Sequence, residues 1–303
     1  MIVQAPHLKA FPQKVKVLAP LRLTAKPTLG KETGKHCKEG PRMEFKEVVG
    51  RRRSIRYFLP FRPVEKEKIQ TILEAARLAS CAVNASFLRA VVVERDKISR
   101  EVLESLKVPT TTLQLDLAPV HIYFYGNLKA IDESHGKTLK ELYDVGALNP
   151  THGWSYKFID EVVWPQILEP ISKNPQILPV AVAMDCGVAM NQALLTAFDE
   201  GLGALLTAFN AENAKKAFKV PDHFMALYAM LVGYPAESWQ AGGQRPRPPF
   251  ESLYFAGEYG VPLQRDPAVV EKLKQAKMIQ DPAPLPWRKD EVRALSRMFG
   301  LPE

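Results

Sequence analysis

An α+β fold is the class this sequence predicts, on three observations. Residues 89–94, 120–125 and 226–232 are short runs rich in β-branched and aromatic side chains, which read as strands. Residues 65–79 and 182–200 carry apolar side chains at helical spacing over long stretches. A chain of 303 residues that is 46% hydrophobic has enough apolar surface to bury one large core around them.

Taken in order, residues 44–52 suit a short helix, and the run Arg51-Arg52-Arg53-Ser54-Ile55-Arg56-Tyr57-Phe58 follows it. In the helix at 65–79, Ile69, Ile72, Leu73 and Ala76 recur on one face, with Glu65 and Glu67 in the first turn where the helix dipole favours them. A loop at 80–88 leads into the first strand. Residues 98–106 read as a helix, and the strand at 120–125 opens after Pro119. Residues 127–179 form the least regular part, holding Tyr143, Trp154, Tyr156, Trp164 and five prolines. Short helices are expected there at 137–143 and 156–163. An aromatic connection of this length reads either as a lid over a binding site or as packing on the body.

The helix at 182–200 is apolar on nearly every face, which requires burial in a core or in a subunit interface. Gly201 is placed to end it in a left-handed turn, and Asn210 to cap a helix at 211–218. Two amphipathic pieces, 269–278 and 291–299, follow a Gly/Pro/Arg-rich stretch at 241–249. Three units are therefore expected: a basic, flexible extension over 1–42, a body over 43–260, and a helical extension over 261–303.

Charge and cysteine content narrow the function classes. Residues 1–42 hold nine lysines and arginines against two acids, and the rest holds 32 against 31. The excess positive charge therefore belongs to the extension. The near-neutral body gives no footprint for nucleic acid. The extension lacks the apolar stretch of a secretory signal, contains no serine, and precedes Met43, which can serve as an internal start. No run of eighteen apolar residues is present, so no membrane span is expected. Three scattered cysteines and six scattered histidines match neither a disulfide framework nor a metal-ligand spacing. A reducing, cytoplasmic location and no bound metal are the corresponding expectations.

The arginines carry the chemistry. Four guanidiniums and one hydroxyl fall in residues 51–56, and Arg245 and Arg247 form a second cluster nearly two hundred residues later. Either cluster alone reads as a solvated basic turn. Brought together by folding, they would surround an anion, and the planar guanidinium fork suits phosphate oxygens. No GxxxxGK[ST] loop and no strand-borne GxGxxG is present, so the phosphate would be held by side chains.

In these motifs the sequence resembles the nitroreductase-like family of FMN-dependent oxidoreductases. The resemblance rests on Arg52-Arg53-Ser54-Ile55-Arg56-Tyr57-Phe58, the helix over 64–79, and the loop Ala79-Ser80-Cys81-Ala82-Val83-Asn84-Ala85-Ser86-Phe87-Leu88. It continues through Asp185 to Gly203, Pro221 to Pro235, and Arg245-Pro246-Arg247-Pro248-Pro249. It spans roughly residues 43–260. The resemblance implies a mostly antiparallel central sheet flanked by helices, in an intertwined homodimer with FMN at the subunit interface. Arg52, Ser54, Arg56, Arg245 and Arg247 would grip the phosphate and ribityl chain, with Arg53 contributing nearby. Ser80, Cys81 and Asn84 would reach the flavin from the other subunit. Leu206, Thr207 and Ala208 would pass the isoalloxazine near N5, with Thr207 as the hydrogen-bonding side chain. The apolar helix at 182–200 would lie in the dimer core.

Where the family pattern has Pro, Ser and Gln-Pro, this sequence has Ser80, Cys81 and Ser86-Phe87, and Ala208 stands where some members carry an acid. Cys81 is thus either a reactive thiol beside the flavin or inert packing. The activity implied is ping-pong reduction, with NAD(P)H as electron donor and a small, flat or aromatic acceptor such as a nitroarene, quinone or enone. Trp154 and Tyr156 are the candidate substrate contacts, and no residue is assigned a catalytic proton transfer. The competing readings are specialised turnover, by flavin fragmentation or reductive dehalogenation, and FMN binding without turnover.

Overall fold

A computed structural model describes residues 44–302 of the chain. The extension expected over residues 1–42 lies outside the described residues.

The chain begins with α1 (Phe45–Arg51), the arginine stretch, and α2 (Lys66–Arg77). After the loop come β1 (Leu88–Glu94), α3 (Arg100–Leu106), α4 (Thr112–Leu117) and β2 (Val120–Asn127). The Ser99 hydroxyl caps α3 by accepting from the Val102 amide. Residues 128–177 are more regular than their composition suggests. They contain α5 (Ala130–Ser134), α6 (Lys137–Asp144), α7 (Tyr156–Phe158), a wide π-helical stretch at Ile159–Leu168, and α8 (Glu169–Ser172). The helix expected to stop at 163 therefore runs on to Ser172. Its buried residues Ile159, Val163 and Leu168 are four and five apart, and Pro165 supplies no amide to an α-helical ladder. Neither feature reads as a helix under a 3.6-residue period.

The second half holds α9 (Leu178–Asp199), β3 (Gly203–Thr207), α10 (Ala211–Phe218) and β4 (Phe224–Gly233). Then come α11 (Pro267–Gln275) and α12 (Arg288–Phe299). Gly201 ends α9 with φ 72°, and the Asn210 side chain accepts from Asn213 N to cap α10, as the sequence predicts. The four strands form one antiparallel sheet in the order β1-β2-β4-β3. The edge strand β3, only five residues between Gly203 and Thr207, was not recognisable as a strand from sequence.

Alternation along β2 separates two cores. Ile122 and Phe124 join Met230 and Val232 of β4 in a cluster with α2, α9 and the 130–172 helices. Tyr123 and Tyr125 join Ala229 and Leu231 in a cluster with α3, α4 and α10. Helices thus cover both faces, and every residue of β2 is buried.

His121 is part of that buried strand, and its ring is satisfied as one neutral tautomer. Nε2 lies 3.1 Å from the Ala118 carbonyl oxygen, which only accepts, so Nε2 carries the hydrogen. Nδ1 then accepts from the Tyr123 hydroxyl at 3.1 Å. Burial is the main reason that the His121 pKa is pushed down to about 4. The unfolded chain takes up a proton near pH 6.5 and the folded chain does not until about pH 4. Stability conferred by the neutral ring is therefore full above pH 6.5 and falls as the pH drops through that window. The expected loss is roughly 3 kcal/mol between pH 7 and pH 4. Melting temperatures across this range should fall for the wild type and fall less for His121→Gln.

Helix α9 is buried along one side only. Val182, Cys186, Ala189, Ala193 and Ala197 pack on the sheet and α2, whereas Val180, Met184 and Val188 are 58%, 69% and 47% exposed within the single chain. It is also the one described helix long and apolar enough to cross a bilayer by length and composition.

Candidate functional site

The arginine stretch leaves α1 in extended conformation and lies against the edge of the sheet. The Ile55 amide donates to the Ala204 carbonyl at 3.1 Å, and Ser54 bridges Ala204 in parallel. This runs residues 52–56 alongside β3, whose later residues are Leu206 and Thr207. Extended backbone alternates its side chains. Arg53 and Ile55 are buried, while Arg52, Ser54 and Arg56 are half-exposed on the other side. Ile55 fits tightly beneath Gly203, where an added Cβ would lie 2.9 Å from its Cγ1.

Arg53 therefore turns its side chain into the protein. Its Nε donates to the Gly243 carbonyl at 3.1 Å, its Nη1 to the Gly50 and Arg52 carbonyls at 2.6 and 2.9 Å, and its Nη2 to Gln280 Oε1 at 3.1 Å. It ties the end of α1 to the 240s loop and to the segment after α11. Burial first, then the charges of Arg52, Arg245 and Arg51, pull its pKa down to about 10. It stays protonated at neutral pH and serves the protein itself.

The remaining guanidiniums converge from two directions. Burial, and after it the charge of Arg247, holds Arg52 below the usual arginine range. Burial, followed by Arg56 and Arg288, does the same to Arg245. Among the described residues no ion pair joins Arg52, Arg56, Arg245 or Arg247 to a carboxylate. Arg56 Nη1 donates to the Ser54 carbonyl at 3.0 Å and Arg245 Nη2 to the Ala241 carbonyl at 3.0 Å, which leaves most of their donors available. The Ser54 and Thr207 hydroxyls also have no hydrogen-bond partner among the described residues. Crowded, partly desolvated positive charges with no carboxylate in ion-pair contact among the described residues favour an anion. A phosphate monoester, with near-double charge and several acceptor oxygens, fits this donor set, as the phosphate end of FMN would.

Two residues that the sequence reading did not single out for the site fix this geometry. Glu237, its side chain fully buried, accepts from the Arg56 and Tyr57 amides at 2.5 and 3.1 Å through Oε1. Arg288, from α12, approaches Glu237 Oε2 at 2.8 Å. No sequence signal marked Glu237, because a lone acid two residues after a Gly-Tyr-Pro turn reads as surface.

Residues 80–88 form a second surface, and no hydrogen bond or ion pair among the described residues links it to the arginines within one chain. Asp185 Oδ2 accepts from the Ala82 amide at 2.6 Å, and the Thr138 hydroxyl donates to the Val83 carbonyl at 2.7 Å. Asp185 is the only acid of α9 before its last residue, Asp199, a signal visible in the sequence. The loop holds Val83, Asn84 and Ser86 at φ 49°, 54° and 49°, a left-handed conformation that costs a β-branched valine most. Ser80, Cys81, Ser86, Asp185 and Cys186 line a cavity of about 250 Å³ beside it. Burial raises the Cys186 thiol to about 12, so it stays protonated, whereas Cys81 is half-exposed and its sulfur accepts from the Ser86 amide. Asn84 is exposed on the same loop.

The two aromatic candidates lie in the helical layer instead. Trp154 packs edge-on against Phe158 at 5.5 Å beside the core, and the exposed Tyr156 donates its hydroxyl to the Asp144 carboxylate. Neither shares a ring contact or hydrogen bond with the arginine cluster among the described residues. Helix α6 of this layer contacts the 80–88 loop through Thr138.

Known proteins share this architecture. The chain is 26% identical over 202 residues to a protein of Methanothermobacter thermautotrophicus named as an NADH dehydrogenase/NAD(P)H nitroreductase, covering 65% of this chain and 80% of that one. A nitroreductase from Exiguobacterium sibiricum, solved in complex with FMN, superposes with a TM-score of 0.55 at 24% identity over 70% of this chain and 96% of its own. An NAD(P)H:FMN oxidoreductase from Staphylococcus epidermidis superposes with a TM-score of 0.57 at 21% identity over 71% and 96%. The shared fold is the antiparallel sheet between helical layers described above. The family description "Nitroreductase family" matches residues 49–234, from the end of α1 through β4. The chain belongs to the nitroreductase family of oxidoreductases.

Proposed function

We propose that this protein binds FMN and uses NAD(P)H to reduce a small, flat or aromatic acceptor, of the nitroarene, quinone or enone type. The observation that carries the reading is that Arg52 lies within reach of the Arg247 charge and Arg56 within reach of the Arg245 charge, with no carboxylate in ion-pair contact with any of the four among the described residues. Bound FMN would accept a hydride from the nicotinamide and pass it to the acceptor. Arg52, Ser54, Arg56, Arg245 and Arg247 would hold the phosphate and ribityl chain. Leu206, Thr207 and Ala208, at the end of the neighbouring strand, would lie along the ring system, where the unpartnered Thr207 hydroxyl is free to hydrogen-bond.

The reading includes a homodimer. Ile177, Val180, Met184 and Val188 form a helical stripe that is about half or more exposed in one chain, flanked by exposed Phe45 and Leu78. A stripe of this size favours a protein partner over water. A second copy across α9 would bring its 80–88 loop, with Ser80, Cys81 and Asn84, to the flavin face, which the arginine side of a single chain leaves open. Titration of the apoprotein with FMN, followed by flavin fluorescence, tests the binding half. Saturable binding at one FMN per chain is expected, and a protein that stays apo in excess FMN would remove the reading.

A further inference from the structure

A buried negative charge sits beneath the positive cradle. Glu237 Oε1 is engaged by the Arg56 and Tyr57 amides, whereas Oε2 is buried without a hydrogen-bond partner among the described residues and has Arg288 Nη2 beside it, at an ion-pair distance of 2.8 Å. Arg288 is itself held in place: Nη1 donates to Glu291 Oε2 at 2.6 Å, and Glu291 Oε1 accepts from the Ser238 amide at 2.5 Å. Gly242 lets the side chain pass, since a Cβ there would lie 2.8 Å from Arg288 Cδ. The Leu285 amide donates to the Gly242 carbonyl at 2.8 Å, so the approach to α12 is pinned to the same loop. Burial works against the charge on Arg288, but Glu291 and Glu237 outweigh it and hold its pKa above the usual range. Arg245 feels the charges of Arg56, Arg288 and Glu237 together.

A buried carboxylate stripped of its cation takes the nearest replacement, because an unpaired buried charge is far costlier than a paired one. Here the replacement at hand is the Arg245 guanidinium, which feels the Glu237 charge and which the proposed function assigns to phosphate. We propose that Arg288 neutralises Glu237 and thereby reserves Arg245 for the phosphate of the cofactor. Arg288 is a positioning residue in this account. It lies on α12, beyond residues 49–234 that match the family, so the device belongs to this chain's C-terminal segment. The inference rests on the FMN reading.

The test compares FMN with riboflavin, which lacks the phosphate, by fluorescence titration of the full chain. Arg288→Met is expected to weaken FMN about 10-fold or more, the effect of losing one charge-assisted hydrogen bond, with riboflavin changed less than about 2-fold. Arg288→Lys should restore most of the affinity. Adding Glu237→Gln to Arg288→Met should also recover it, since the glutamine still accepts from the Arg56 amide and carries no charge to divert Arg245. That rescue is not expected of a residue that merely braces the fold. Unchanged FMN affinity in Arg288→Met, equal losses for both flavins, or no recovery in the double variant would each overturn the assignment. A wild type that binds no FMN overturns the flavin reading instead. Inorganic phosphate then decides the Arg288 assignment: it should raise the Tm of the wild type and not of Arg288→Met, and equal shifts would overturn it.

Discussion

Replacing Arg52 and Arg56 with alanine is expected to weaken FMN binding by roughly 100- to 10,000-fold. A hydrogen bond to a charged group contributes about 1.5–3 kcal/mol, and the two side chains stand on the same side of one extended segment. Riboflavin should lose far less, because the effect lies at the phosphate. Arg53→Met should behave differently, lowering the Tm while sparing the FMN-to-riboflavin preference, since Arg53 donates to Gly50, Gly243 and Gln280. Equal losses of FMN affinity in Arg52→Ala/Arg56→Ala and in Arg53→Met would contradict the division of labour read from the alternation.

The second large effect concerns α9. Introducing Met184→Glu and Val188→Glu together places two charges on the stripe that is 69% and 47% exposed at those positions in the single chain. Burying two unpaired carboxylates costs several kcal/mol, so the dimer is expected to weaken by roughly 1000-fold or more. Sedimentation should then show monomer at concentrations where the wild type is dimeric. FMN affinity should fall with it, because each site would lose the partner's 80–88 loop. A wild type that is monomeric with full FMN affinity would contradict this part of the account.

The secondary structure was legible wherever one period dominated. The strands at 89–94, 120–125 and 226–232 and the helices at 65–79 and 182–200 appear with boundaries shifted by a few residues. The helix expected at 156–163 is present, but its π-helical continuation to 168 was not legible, because buried side chains four and five apart fit no regular helical template. β3, five residues that start two positions after the Gly201 turn, is too short to carry a strand pattern of its own, and only its pairing with β4 defines it. The cradle was half legible. Two arginine clusters in the sequence pointed to an anion, and the fold sets Arg52 within reach of the Arg247 charge and Arg245 within reach of the Arg56 charge. Which arginine faces the anion required knowing that 52–56 is extended, since alternation then turns Arg53 inward. Glu237, Arg288 and Gln280 were invisible for another reason. Their partners lie tens to hundreds of residues away, and only the fold of the C-terminal segment against the 237–245 loop joins them. Gly50 marks that seat, as a Cβ there would collide with the Lys277 carbonyl oxygen.

The absorbance spectrum of the FMN-reconstituted protein, recorded anaerobically before and after NADH or NADPH is added, tests the central claim most directly. The account predicts that the bound flavin's visible absorption bleaches within seconds with at least one of the two nucleotides and returns when a quinone or nitroarene is supplied. A flavin that stays bound and oxidised with both nucleotides would contradict it, leaving a protein that holds FMN without turning it over.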